Sequence, residues 1–144
     1  MIAIKQVTTQ QDLEAAIAIQ LRVFCEEQGI PESTCLEGNE DASHILALER
    51  SRPVATARVI FKPDGDGELA RVAVLPSHRK AGIGRALVLA LEEIAVQKGV
   101  RRITLKPHLH LESFYESLGY SRLNDVIDIV GDHKLITMVR IVGS

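Results

Sequence analysis

The residues with the clearest chemical potential lie in one stretch, Val72-Ala73-Val74-Leu75-Pro76-Ser77-His78-Arg79-Lys80-Ala81-Gly82-Ile83-Gly84-Arg85-Ala86. An apolar run ends at Pro76, a basic loop follows, and two glycines open a long amphipathic segment. The first turn of a helix carries unpaired N–H groups and a partial positive charge, so an anion binds there readily. Glycine lets the backbone approach that anion with no Cβ in the way. From Arg71 to Leu91 there are four cations (Arg71, Arg79, Lys80, Arg85) and no acid, a local charge of +4 in a chain whose 17 Lys and Arg against 19 Asp and Glu leave −2 overall. The pattern reads as a phosphate site. It is not the Walker loop, and the dinucleotide pattern G-x-G-x-x-[G/A] fails because Leu87 holds the third small position. An ordinary strand–loop–helix corner with exposed basic residues is the alternative.

A second stretch is opposite in sign. From Phe24 to Asp41 there are six acids (Glu26, Glu27, Glu32, Glu37, Glu40, Asp41) and no Lys or Arg. Such a run draws a cationic ligand, or it is a solvated loop. His108 and His110 would share a face on a strand, but no third ligand stands near them in sequence, so no metal is expected. Cys25 and Cys35 form no C-x-x-C pair, and Cys25 reads as a small core residue on a helix.

These groups need a scaffold, and the pattern supplies one. Met1 to Val7 alternates as a first strand. Thr9 caps a helix that the spacing of Leu13, Ile17, Leu21 and Phe24 carries to about Gln28, where Gly29-Ile30-Pro31 stops it. Residues 31–43 read as an irregular loop. His44 to Glu49 and Val54 to Phe61 are strands around a turn at Arg50 to Pro53, and Lys62-Pro63-Asp64-Gly65-Asp66-Gly67 is a tight reversal into a strand from Glu68 to Leu75. Gly82 to Lys98 is the strongest helix, with Ile83, Leu87, Leu91 and Ile94 on one face. Arg101 to Lys106 is a strand, Glu112 to Leu118 a short helix, and Lys134 to Val142 a final strand whose apolar character could serve a dimer edge. The order β-α, three antiparallel strands, then α-β-α-β-β makes an α/β (α+β) fold in which the strand–helix–strand unit near 68–106 implies one parallel pair.

Composition narrows the function classes. A chain of 144 residues is expected to be one domain spanning 1–144, and 46% apolar with 25% charged residues is the globular average. Near-neutral charge and only five aromatics argue against a nucleic-acid partner. No apolar run approaches the ~18 residues of a membrane span, and the start has no signal-peptide layout, so a soluble, cytoplasmic protein without a membrane partner is expected.

Arg79-Lys80-Ala81-Gly82-Ile83-Gly84 resembles the [Q/R]-x-x-G-x-[G/A] signature of the GNAT superfamily of N-acetyltransferases. The strand Arg71 to Pro76 before it and Arg85-Ala86-Leu87 after it are similar too, and Phe114-Tyr115-Glu116-Ser117-Leu118-Gly119-Tyr120 resembles the family's F-Y-x-x-x-G-[F/Y] segment. The likeness runs from about Ile2 to Arg140. The segment Val23 to Pro31 further resembles small bacterial members of the YjcF-like kind.

The resemblance implies a three-layer αβα fold whose mixed, mostly antiparallel sheet splays between its fourth and fifth strands. It implies acetyl-CoA as co-substrate and no metal. The loop amides from Arg79 through Lys80, Ala81, Gly82 and Ile83 to Gly84, with Arg85, would hold the pyrophosphate, and Val72, Ala73 and Val74 would line the pantetheine arm. It places Tyr115 as the acid that protonates the leaving sulfur, and Ser113 where many members carry an asparagine. Glu26 and Glu27 are the candidate bases, with Glu37, Asp41 and His44 on the acceptor side. The acceptor implied is a small-molecule or peptide amine, the acidic run favouring a cationic one. A sensor that keeps the acetyl-CoA pocket without turnover is the alternative.

Overall fold

The computed structural model describes residues 1–143. Strand β1 (Ile2–Gln6) leads into α1 (Gln10–Gln20), whose first turn is capped as the sequence predicts, the Asp12 amide donating to Thr9 Oγ1 at 3.1 Å. The predicted helix does continue to Glu27, but Leu21–Glu27 is wound as a π-helix. The wider turn keeps Val23 in the core while Phe24 reaches the cleft described below.

Residues 31–43, expected to be irregular, instead form α2 (Glu32–Leu36) and a single 3-10 turn (Asn39–Asp41). Pro31 stands at the N-cap of α2, where its missing N–H costs nothing.

The antiparallel strands β2 (Ala42–Glu49), β3 (Arg52–Phe61) and β4 (Gly67–Val74) follow, then α3 (Ile83–Gln97), β5 (Arg102–Leu105) and α4 (Glu112–Ser117). The last part of the chain departs from expectation. Instead of one strand over 134–142 there are β6 (Ser121–Arg122), a separate hairpin of β7 (Asp128–Val130) and β8 (His133–Leu135), and β9 (Met138–Ile141). The break falls where the Ile136 amide bonds the Pro107 carbonyl at 3.0 Å, pulling the chain from the hairpin into the main sheet. There β9 is flanked by β5 along Met138–Ile141 and by β6 at Met138 and Val139.

The main sheet runs β1-β2-β3-β4-β5-β9-β6, and β4–β5 is its one parallel pair. Helix α3 packs Ile83, Leu87, Val88, Leu91 and Ala95 on one face; Ala16, Ile19 and Val23 of the first helical segment cover Leu46 and Ala73 on the other. This is a three-layer αβα arrangement. Among the described residues no helix is long and apolar enough to cross a membrane.

Candidate active site

Strands β4 and β5 pair only at Gly67 with Ile103 and Glu68 with Thr104, then part. At the point of convergence a Cβ on Gly67 would stand 3.3 Å from the Val100 side chain and 3.4 Å from Val59, so glycine lets the strands close there. Beyond it, β4 bulges. Its register against β3 shifts between Thr56 and Arg58, and Arg71 sits at φ 53, left-handed for a residue with a side chain. The guanidinium of Arg71 holds this shape by donating to the carbonyls of Cys35 and Thr34 at 2.9 Å each.

After the bulge the backbone alternates. The Leu75 amide donates to Val54 of β3, so Val72 and Val74, two apart and out of phase with Leu75, turn their N–H and C=O groups toward the open side. Ala73 turns its own toward β3, opposite Thr56.

The end of β4 delivers the chain to the basic loop. Lys80 (φ 65) and Gly82 (φ 78) are both left-handed, and Gly82 is the N-cap of α3 with no side chain capping it. The first helical bond runs from the Ala86 amide to the Gly82 carbonyl at 3.1 Å, which leaves the amides of Ile83, Gly84 and Arg85 without helical partners. A Cβ on Gly82 would meet nothing within 4 Å, so this helix start opens on clear space. Such donors around a helix N-terminus suit an anion.

The Arg79 side chain turns away from the loop amides. Its Nη atoms grip Glu27 in a bidentate pair at 2.9 and 2.8 Å, and its Nε donates to the Val74 carbonyl at 2.9 Å. The charge left free for a phosphate comes from Lys80 and Arg85.

Where β4 and β5 separate there is a cleft of about 250 Å³. Its walls come from Glu68 to Val72 of β4, Leu105 to His108 at the end of β5, Leu111 and Tyr115, Phe24, Ile30, Thr34 and Cys35, and Val130, His133 and Leu135 of the hairpin. Tyr115 is 6% exposed, with its ring edge-on to Phe114 and Tyr120. Burial alone raises its hydroxyl, to about 12, so it carries its proton at neutral pH.

The other expected acceptor-side residues lie elsewhere. Glu26, Glu27, Glu37, Asp41 and His44 do not line the cleft. The Arg79 hydrogen bonds hold the Glu27 carboxyl below the usual range, which works against its serving as a base. His44 is buried, its Nε2 3.1 Å from the Asn39 carbonyl, and burial lowers its proton affinity. It belongs to a polar cluster in which Arg58, at 3% exposure, donates to Asn39 and is pulled down to about 10 by burial and the nearby Arg71.

Sequence reasoning missed His133 altogether. It lies 25 residues beyond His108, yet the hairpin brings their rings within 5.0 Å. The only local signal was the turn Gly131-Asp132 ahead of it, which marks a reversal but not its target. Among the described residues no group of three His, Cys, Asp or Glu side chains is arranged to hold a metal.

The model of the Acetyltransferase (GNAT) family matches residues 12–120. The chain belongs to that family. A Bacillus subtilis (strain 168) protein described as an acetyltransferase is 38% identical over 141 residues, covering 93% of this chain and 94% of that one. YjcF from the same organism, an uncharacterized N-acetyltransferase, is 33% identical over 117 residues, 81% of this chain and 83% of its own. The crystal structure of Escherichia coli ElaA superposes with a TM-score of 0.86 at 25% identity, covering 97% of this chain and 99% of that one. The protein is therefore an N-acetyltransferase of the GNAT family, whose general donor is acetyl-CoA. The residues present fit that donor: an uncapped helix start on clear space for the diphosphate, and a strand edge turned away from β3 at Val72 and at the Val74 amide for the amides of the arm, the Val74 carbonyl being taken by Arg79.

Proposed function

We propose that this protein transfers acetyl directly from acetyl-CoA to a primary amine of a small molecule or peptide in the cytoplasm. The observation that carries the reading is the parting of β4 from β5 after Glu68, with an uncapped helix start beyond the same strand and Tyr115 in the opened cleft. Bound there, acetyl-CoA supplies a thioester whose carbonyl an amine can attack.

The chain's own groups then have separate tasks. The amides of Ile83, Gly84 and Arg85, with Lys80, hold the diphosphate. Val72 and Val74 align the arm through main-chain bonds, and the outward Val74 amide is placed to stabilise negative charge developing on the carbonyl oxygen. Tyr115, protonated at working pH, donates to the departing sulfur.

The acidic run Glu26 to Asp41 favours a cationic amine during approach. Within the cleft Glu68 is the only carboxylate among the described residues, and it is paired with Lys62 at 3.4 Å, so close recognition of the acceptor rests less on charge than that run suggests.

The test is a melting curve with and without ligand, followed by turnover. Acetyl-CoA should raise Tm with rising concentration while ATP at equal concentration does not. Thiol release with an amine panel, together with an acetyl mass increment on the amine, should follow. Stabilisation by acetyl-CoA without thiol release from any amine would instead favour a sensor.

A further inference from the structure

The geometry points to His108 as the group that takes the proton from the acceptor amine, with His133 as the residue that positions it. This rests on the transferase reading above. His108 follows β5 and pairs through its backbone with Leu135 of the hairpin, and it lines the same cleft as Tyr115. His133 stands edge-on to it at 5.0 Å and 74°, and His110 lies at 5.5 Å. The His133 Nε2 lies 3.2 Å from the Gln28 carbonyl, a contact that requires that nitrogen to carry a hydrogen and that ties the hairpin to the end of the first helical segment. No protein group among the described residues bonds either ring nitrogen of His108.

The other charged or titratable groups lining the cleft are Glu68 and Arg71 from β4, Lys106 after β5, Tyr115 from α4, and Cys35 from α2, whose thiol burial pushes up to about 11. Glu68, the one carboxylate, faces Lys62 Nζ at 3.4 Å. Burial, then His133, then His110 lower the proton affinity of His108, so its imidazole is neutral with a free lone pair at pH 7.

The proton balance closes. His108 accepts one proton from R–NH3+, giving R–NH2. The nitrogen lone pair forms the C–N bond, and the C–S bond breaks with its electron pair going to sulfur. Tyr115 gives that sulfur a proton and regains one from the nitrogen, which sheds its second. His108 returns its proton to solvent. Ammonium and thioester thus yield amide, thiol and one released proton.

The experiment compares wild type, His108→Gln and His133→Gln with two probe amines, n-butylamine, which is protonated at neutral pH, and methoxyamine, which is not. His108→Gln should lower kcat/KM for butylamine by about 10²-fold or more and remove the acid limb of its pH profile. Methoxyamine, needing no initial deprotonation, should react nearly as fast with the variant as with wild type. By NMR the His108 ring of the unliganded protein should titrate below the ordinary 6.5, and in His133→Gln both that titration and the acid limb should move up. Equal losses with both amines, an acid limb that survives in His108→Gln, or a His108 ring titrating at 6.5 or above would overturn the assignment while leaving the transferase reading standing. A wild type inert toward both amines would overturn both.

Discussion

Replacing Tyr115 by phenylalanine removes one oxygen and leaves the ring in its packing against Phe114 and Tyr120. With no protein partner orphaned, stability at neutral pH should change by no more than about 0.5 kcal/mol. Activity should behave differently. Loss of a positioned acid costs about 10²–10⁴-fold in rate, or roughly 3–5 kcal/mol of barrier. A third signature comes from linkage. Burial raises the folded-state pKa from 10.0 to about 12, so the hydroxyl's contribution is complete below pH 10 and is lost as pH rises toward 12. Two units correspond to about 2–3 kcal/mol. Wild type should therefore lose that much more stability than Tyr115→Phe between pH 9 and 12, as read by urea unfolding at each pH. Tyr120, raised further by burial and by its bond to Glu92, is common to both proteins and cancels. Turnover by Tyr115→Phe at the wild-type rate would refute the acid assignment, and identical alkaline stability would refute the account of its burial.

Other perturbations separate the loop, the bulge and the core. Gly82→Ala has room for its Cβ but must hold φ 78, so it should cost about 1–2 kcal/mol from left-handed strain alone, seen as a lower urea midpoint; an unchanged midpoint would contradict the helix start described here. Glu92→Ala strips the Tyr120 hydroxyl and Arg140 of their shared acceptor, at 2.8 and 3.0 Å, and should cost about 2–4 kcal/mol in the same assay. Arg71→Met should raise KM for the amine and weaken acetyl-CoA binding as well, because it frees the α2 carbonyls and removes what holds the β4 bulge; acetyl-CoA affinity equal to wild type would contradict that coupling. His44, its proton affinity depressed by burial, contributes stability above pH 6.5 that is lost as pH falls below it; His44→Gln should flatten Tm between pH 7 and 5.

The half of the site proposed to bind the donor was legible in its geometry because main-chain groups make it. Glycines at 82 and 84, a proline at 76 and a run of cations report directly on where a strand ends and a helix begins with its amides uncovered. The parallel β4–β5 pair followed from the helix between them. The acceptor wall was not legible, because five segments far apart in sequence supply it. Phe24 reaches it only through a π-wound turn that no glycine or proline announces. His133 arrives on a hairpin whose second strand merges in sequence with the expected strand Lys134 to Val142, since Leu135 to Val142 is largely apolar and hides the crossing at Ile136. The acidic run looked like a recognition surface because charge is visible in sequence, while burial and partnering are not; Glu27 is held by Arg79, a contact 52 residues away.

Arg71 shows why the two halves had to be built together. A left-handed arginine costs about 1–2 kcal/mol against extended backbone, and nothing in β4 itself requires that cost. Two hydrogen bonds from its guanidinium to Thr34 and Cys35, each worth about 1 kcal/mol net, offset it only while α2 is docked. The bulge that turns Val72 and Val74 toward the open side of the cleft is thus stable only when α2, which lines the same cleft, is in place. Docking of α2 and exposure of the β4 strand edge therefore share one side chain, and loosening α2 loosens the edge proposed to align the arm.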